Sequence, residues 1–545
     1  MKKKIWMISA LIYAMVFLVC FGVLFVLKKW TETDGQRTEI SSEYGGEEAG
    51  TASGAGAVTP ITGTLASASD AAASPADVMA SPSDAAFSPD TKLGEDGIPG
   101  SHAAKNTYGK KGYSGWKKEL ENIWEPDSAG QAYTPPRIIL ATDLHYQSAK
   151  AGDGGKAFQR FVEYCDGKVV RYLPELLDAF LDEVIKDHPS ALVLSGDITM
   201  NGERMNHEEL SEGLKRVQDA GIQVLVIPGN HDINNGNAAV YFGDVSKGTD
   251  SVSPEEFLDL YRDYGYRQAL SRDEASLSYV YALDEKNWLL MLDSCQYEPE
   301  NLVEGRIRPE TLTWAEKQLI KAKEDGIFVI PIAHHNLLAQ SRMYTTQCAM
   351  ENNGEVIGLL QKYELPLFFS GHLHVQRIRK HKAEPGEPEE AYGIQEIITD
   401  AISIPPCQYG ELVWKEDGSL EYATRAVDVS AWARKTGSTD ENLLEFEAWS
   451  YEYIRSLISA QIRRQLRSLG EEIEQSMSSL YAGVYMDYYA GRKIDLKEIQ
   501  SAKGYRWWKR NMPDSALLRE LEAMAADADR DNNYFLLPEG SGWER

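Results

Sequence analysis

Between Ala191 and Asn235, two short apolar runs flank a helical pattern, and few folds accommodate that arrangement. The run Ala191-Leu192-Val193-Leu194 breaks into Ser195-Gly196-Asp197, and the run Gln223 to Pro228 breaks into Gly229-Asn230-His231-Asp232. Between them, from Asn206 to Ala220, Leu210, Leu214 and Val217 recur at helical spacing. Strand, helix, strand is the parallel crossover unit, because two parallel neighbours need a connection long enough to carry the chain back. Open α/β sheets build their sites at the carboxyl edge of such strands, where the polar clusters Gly196-Asp197 and 229–232 fall.

The same pattern recurs along the chain. A strand over Arg137 to Ala141 ends in Thr142-Asp143-Leu144-His145, and one over Phe328 to Ile332 ends in Ala333-His334-His335-Asn336. A third, Leu365 to Phe369, runs into Ser370-Gly371-His372-Leu373-His374. Helices are predicted over Val169 to Asp187, Pro309 to Glu324 and Asn353 to Tyr363, and antiparallel strands over Ser276 to Leu283 and Trp288 to Asp293. Strands at Ile394 to Ile398, Leu412 to Trp414 and Leu420 to Thr424 are expected to form a second sheet.

Of the ten histidines, six (His145, His231, His334, His335, His372 and His374) lie inside these strand-end motifs. In Asp143-Leu144-His145 and His372-Leu373-His374 the paired groups are two apart, so on extended chain both point to one side. Asp197 ends a strand with a carboxylate whose two oxygens can bridge two cations. Carboxylate and imidazole ligation without thiolate suits Zn, Mn or Fe, and permits two ions about 3.5 to 4 Å apart. The five cysteines, Cys20, Cys165, Cys295, Cys348 and Cys407, form no CxxC pair and read as buried thiols.

In order, Asp-x-His, Gly-Asp, Gly-Asn-His-Asp, a strand-end His and Gly-His-x-His resemble the calcineurin-like metallophosphoesterase superfamily over about residues 136–430. The resemblance implies a four-layer αββα sandwich with a dinuclear metal site at the end of its two sheets. Asp143, His145 and His374 would hold the first metal, Asp197 would bridge, and Asn230, His334 and His372 would complete the second. The ligand in the family is usually the first His of a His-His pair, which prefers His334 over His335. His231 would face the substrate with Asp232 as its partner, stabilising developing charge or helping the leaving group accept a proton. The expected activity is phosphoester hydrolysis by a hydroxide held between two divalent or mixed-valence ions. A phosphodiesterase acting on cyclic nucleotides, phospholipid head groups or wall polymers is preferred. A phosphomonoesterase, or a silent surface binding module of the same fold, is the alternative. Met200 stands where the purple acid phosphatase branch has Tyr, so no tyrosinate-iron colour is expected. Gly202-Glu203 and Asn234-Asn235 read as loop caps or substrate contacts, Asp293 as a weaker candidate, and His102, His188, His207 and His381 as surface or packing residues.

Outside that region the chain changes character. Lys plus Arg number 56 against 83 Asp plus Glu, a net charge of -27, which disfavours a stable nucleic-acid partner. Ile5 to Leu27 carries no charge, and its 23 residues give roughly 34 Å of helix, enough for a hydrocarbon core of about 30 Å. The expected organisation is a transmembrane signal anchor at 1–30, a low-complexity stalk at 31–130, a metallophosphoesterase domain at 131–435 and a helical region at 436–545. In that region Leu443 to Leu469 and Asp514 to Ala525 are the clearest helices, and the aromatic residues pack as core. Flanking lysines and the acidic stretch from Glu32 favour a single-pass protein of bacterial character with the bulk of the chain outside.

Overall fold

The computed structural model describes residues 135–539, apart from 166, 382–392 and 468. The expected anchor and stalk lie outside the described residues. Among the described residues no helix is long and apolar enough to cross a membrane.

Strands β1 (Arg137–Ala141), β2 (Ala191–Ser195) and β3 (Gln223–Ile227) pair in parallel, with Ile138 opposite Ala191 and Leu192 opposite Val224. Every residue of β2 is buried, which explains its continuous apolar run: a parallel strand covered on both faces has no solvent side to encode. The crossover helix spans Arg204–Asp219 and buries Leu210, Leu214 and Val217, the three residues whose spacing predicts it. A hairpin of β4 (Ala239–Phe242) and β5 (Val245–Gly248) follows.

The chain then builds a second sheet. It contains β6 (Ser271–Arg272), β7 (Tyr279–Ala282), β8 (Asn287–Leu292), β9 (Phe328–Ala333), β10 (Leu367–Ser370), β11 (Arg377–Lys380) and β12 (Gln395–Ile398). Their spatial order is β11-β12-β10-β9-β8-β7-β6, and β8, β9, β10 and β12 run parallel. Finally β13 (Gln408–Trp414), β14 (Leu420–Ala426) and β15 (Tyr534–Leu537) return to the first sheet, whose order is β15-β14-β13-β1-β2-β3. This corrects the expected sheet membership. Only β12 of the three late strands joins the second sheet, because β1 has β2 on one side and an open edge on the other, which β13 fills antiparallel with Arg137 opposite Val413.

Alternation along β8 shows the layering. Leu290 and Leu292 share a core with Ala315 and Leu319 of helix Pro309–Glu324 and with Val356 and Leu360 of helix Asn353–Lys362. Leu289 and Met291 face the other way, into the core that holds β1, β2 and β3. The Tyr279 hydroxyl crosses between the sheets and donates to the Val226 carbonyl at 3.1 Å.

The C-terminal region is helical as expected, with one break. The predicted Leu443 to Leu469 helix divides into Glu441–Leu444 and Phe446–Gln465, because Glu445 leaves helical geometry at φ -123. Helices Glu471–Tyr489, Leu496–Ser501, Lys503–Asn511 and Ala516–Asp527 follow, and Tyr481, Tyr485, Tyr488 and Trp508 are fully buried among them.

Candidate metal centre

The carboxyl ends of β1, β2, β3, β9 and β10 bring their motifs together. Asp143 and His145 sit just past β1, Asp197 just past β2, and His372 and His374 just past β10. All five have positive φ, from 43° to 66°. Left-handed backbone is uncommon outside glycine and costs on the order of 1 to 3 kcal/mol per residue. The extended-chain reading of the two Asp-x-His and His-x-His pairs is therefore wrong in detail. Asp143 and His145, both left-handed, reach one ligand cluster, whereas His372 and His374, also left-handed, fall in two different ones.

Four ligand atoms meet at a first position. His374 Nε2 lies 3.0 Å from His145 Nε2 and 3.2 Å from Asp143 Oδ1, and His145 Nε2 lies 3.8 Å from both Asp143 Oδ1 and Asp197 Oδ2. Asp143 Oδ2 is held by the Thr142 hydroxyl at 2.8 Å and the His372 N–H at 3.0 Å, while Oδ1 is buried and accepts no well-aligned hydrogen bond. An unsatisfied carboxylate oxygen inside a ring of imidazoles fits a cation, since a buried charge otherwise costs several kcal/mol.

A second position shares one atom with the first. Asp197 Oδ2 is also 3.2 Å from His334 Nε2, which is 3.2 Å from Asn230 Oδ1. Asp197 Oδ1 accepts the His231 N–H at 2.8 Å, so Oδ2 is the oxygen that would be left to two cations. His334 Nδ1 faces the Ser195 carbonyl at 3.1 Å, which leaves Nε2 for a ligand. His335 lies beside His334 and His372, but Ser294 Oγ at 2.8 Å and the Val303 carbonyl at 2.9 Å occupy both of its nitrogens. His372 Nε2 donates to the Gln347 carbonyl at 2.8 Å, leaving Nδ1.

Electrostatics match that arrangement. Burial raises the Asp143 and Asp197 carboxyls, but the surrounding rings outweigh it: His374 and His334 hold Asp143 below the usual range, and His334 and His231 hold Asp197 well below. Burial depresses the rings of His145, His231, His335 and His372, the last to about 4, so they are neutral, the form that binds metal. His334 is the exception. Burial opposes its charge, but Asp197 and Asp143 lift it to about 9, so it carries the proton that a second cation would displace.

The remaining predicted residues divide by role. His231 Nδ1 donates to the Met200 carbonyl at 2.8 Å and lies 2.9 Å from Asn201 Oδ1, so its Nε2 points away from both. Its ring sits edge-on to His145, with centroids 4.9 Å apart. Asp232 does not hold the His231 ring. Its carboxylate accepts from the backbone of Gly229, Ile198 and Thr199 and from the Thr199 hydroxyl, which ties the loops after β2 and β3 together. Glu203 accepts from the Asn201 N–H and the Asn206 amide, and Asn235 bonds the Ser251 hydroxyl and the His231 carbonyl, so both brace loops. Asp293 accepts from Leu277, Cys295 and Tyr297. His207, expected at the surface or in packing, is fully buried, with Nε2 on the Asp232 carbonyl at 2.9 Å and Nδ1 on the Tyr261 hydroxyl at 2.9 Å.

Sequence reasoning missed Asn201, Gln347 and Glu396. Buried Glu396 gathers the Leu337 and Leu338 N–H groups, the Gln340 amide and the Ser370 hydroxyl at 2.7 to 2.8 Å, fixing the chain beyond His335. A lone glutamate inside an apolar strand such as Gln395–Ile398 was the available signal.

Residues 136–376 match the family described as calcineurin-like phosphoesterase. Those residues belong to that family. The chain is a phosphoester hydrolase with a candidate dinuclear metal site on its phosphoesterase domain. Residues 428–531 match a second family, described as the C-terminal domain of cyclic nucleotide phosphodiesterase. No curated protein matches the chain. Among solved structures, a dimetal phosphatase from Danio rerio is 16% identical, with 54% of this chain and 97% of that one covered and a TM-score of 0.40. A purple acid phosphatase from yellow lupin (Lupinus luteus) seeds is 15% identical, with 54% of this chain and 52% of that one covered and a TM-score of 0.37. The chain thus spans about half the length of the lupin protein.

Proposed function

We propose that the phosphoesterase domain is a phosphodiesterase that hydrolyses its substrate at a pair of divalent ions, one held by Asp143, His145 and His374 and the other by Asn230, His334 and His372. The observation that carries this reading is the shared oxygen: Asp197 Oδ2 stands within 3.8 Å of the His145 ligand nitrogen and 3.2 Å of that of His334. When bound, such ions lower the pKa of a water and neutralise phosphate oxygens. The diesterase preference is supported by the family match of residues 428–531.

Among the chain's own residues, His231 is the group placed to handle a proton. With Nδ1–H committed to the Met200 carbonyl, the neutral ring offers Nε2 as an acceptor. Donation to a leaving group requires the imidazolium, which an anionic phosphate beside it favours. Asn201 and Met200 fix the ring's tautomer, and the buried loops around Asp232 keep it in place.

Hydrolysis of bis-p-nitrophenyl phosphate and p-nitrophenyl phosphate by the full chain, after chelation and addition of Mn or Zn, tests the reading. Turnover restored by metal, higher on the diester, and lost by at least two orders of magnitude in Asn230→Ala is expected. Turnover insensitive to chelation, or preference for the monoester, overturns it. We further propose that residues 5–27 anchor the chain in a cell membrane with the phosphoesterase domain on the extracytoplasmic side. Release of the domain by protease added to intact cells supports that location, and recovery in the soluble fraction rejects it.

A further inference from the structure

The loop between β9 and helix Asn353–Lys362 touches the metal centre at one end and the C-terminal helices at the other. At the near end, the Gln347 carbonyl accepts from His372 Nε2 at 2.8 Å, and Gln347 is left-handed at φ 61. Further back, the Ser341 hydroxyl shares a hydrogen bond with the Tyr488 hydroxyl at 2.7 Å, and it caps the loop by accepting from the Met343 and Tyr344 N–H groups at 3.0 Å. The Tyr344 and Tyr489 hydroxyls are hydrogen-bonded to each other. The Arg342 N–H donates to Asp527 Oδ2 at 2.7 Å.

The same helices grip the chain just beyond His374. The Gln376 N–H donates to the Tyr489 carbonyl at 2.9 Å, Gln376 Nε2 to the Asn532 carbonyl at 2.9 Å, and Arg379 pairs with Asp527 Oδ1 at 2.8 Å. A Cβ on Gly491 would stand 2.6 Å from Gln376 Cγ, so glycine is required for this approach. The C-terminal helices therefore hold both sides of His372: the loop that meets its ring and the strand that follows its motif.

We infer that Tyr489 and Asp527 of the C-terminal helices, acting through the 341–347 loop, are positioning residues for the second metal. They hold the Gln347 carbonyl against His372 Nε2, and a carbonyl there keeps the hydrogen on Nε2 and the lone pair on Nδ1, the nitrogen left for the cation. Outer partners of this kind are typically worth 10- to 100-fold in metal affinity. The inference rests on the two-ion reading above and assigns the second family-matched region a part in the centre itself.

The test uses the full chain labelled with 15N-histidine, free of metal, and then titrated with Mn by calorimetry. In the native chain His372 is expected as a single Nε2–H tautomer, and two Mn ions are expected per chain. In Tyr489→Phe and Tyr344→Phe, each lacking one hydroxyl, His372 becomes a tautomer mixture. One of the two Mn affinities falls at least 10-fold while the other holds. Ser341→Ala, which removes the loop's own capping hydroxyl without altering a residue of the helices, gives the same signature and guards against a fold-level effect of the tyrosine changes. An unchanged His372 tautomer with both Mn affinities within about twofold of native overturns the inference. Fewer than two Mn in the native chain overturns the two-ion reading beneath it instead.

Discussion

At the scale of single residues, the candidate metal centre is a set of close approaches that leave no room for change. A Cβ on Gly371 would lie 2.0 Å from Thr142 Oγ1 and 2.6 Å from Asp143 Oδ2. Gly371→Ala is therefore expected to lose about 2 kcal/mol of stability and to weaken metal binding at the Asp143 position, measured by thermal melting and Mn titration. His231 gives a second expectation. Once its imidazolium has formed beside a bound phosphate, proton donation from Nε2 matters most where the departing oxygen is basic. His231→Asn should slow esters with alkyl leaving groups much more than p-nitrophenyl esters, and a rate loss equal across leaving groups would remove His231 from proton transfer. The buried His207 ring, pushed down by burial to about 4 from an ordinary value of 6.5, resists protonation in the folded chain. Its stabilising contribution is thus present above pH 6.5 and lost as pH falls through 4, amounting to about 3 kcal/mol. In His207→Gln, urea midpoints at pH 7.5 and 4.5 should converge relative to native.

At the scale of elements, the strands that end in chemistry were legible because each apolar run stops at a polar cluster. β1, β2, β3, β9 and β10 follow from that pattern, and helix Pro309–Glu324 matches its predicted span. What was not legible depends on partners distant in sequence. β13 and β14 have ordinary strand sequences, and only the open edge of β1 decides that they join the first sheet. The candidate motifs stand out in the sequence, but their left-handed backbone does not, since nothing in Asp-x-His announces positive φ without the neighbouring loops that enforce it. Gln347 is invisible for the same reason, since a backbone carbonyl acquires a role only from what packs on it, whereas Glu396 left one signal, a lone glutamate in an apolar strand. Glu396→Gln, which gives up acceptor positions facing four donors, should cost on the order of 2 kcal/mol in urea unfolding and leave the chain after His335 more open to hydrogen exchange.

At the scale of the whole molecule, the phosphoesterase domain and the helices after residue 436 are one folding problem. Tyr488, Tyr489, Asp527 and Asn532 bond to segments on both sides of His372, and β15 pairs with β14 with Tyr422 opposite Phe535. A chain cut after residue 436 leaves the β14 edge unpaired and the Arg377 and Arg379 side chains without Asp527. It is expected to aggregate or to melt at least 10 °C lower than the intact chain in a thermal scan. A soluble truncated chain with native melting would show that the two regions fold apart. The position of β15 also bears on synthesis. A ribosome must release residues 534–537 before the first sheet has its last strand, and the segment around Asp527 emerges only shortly before. A growing chain therefore carries His372 without the helices that hold its loop until the chain has been made as far as Asp527.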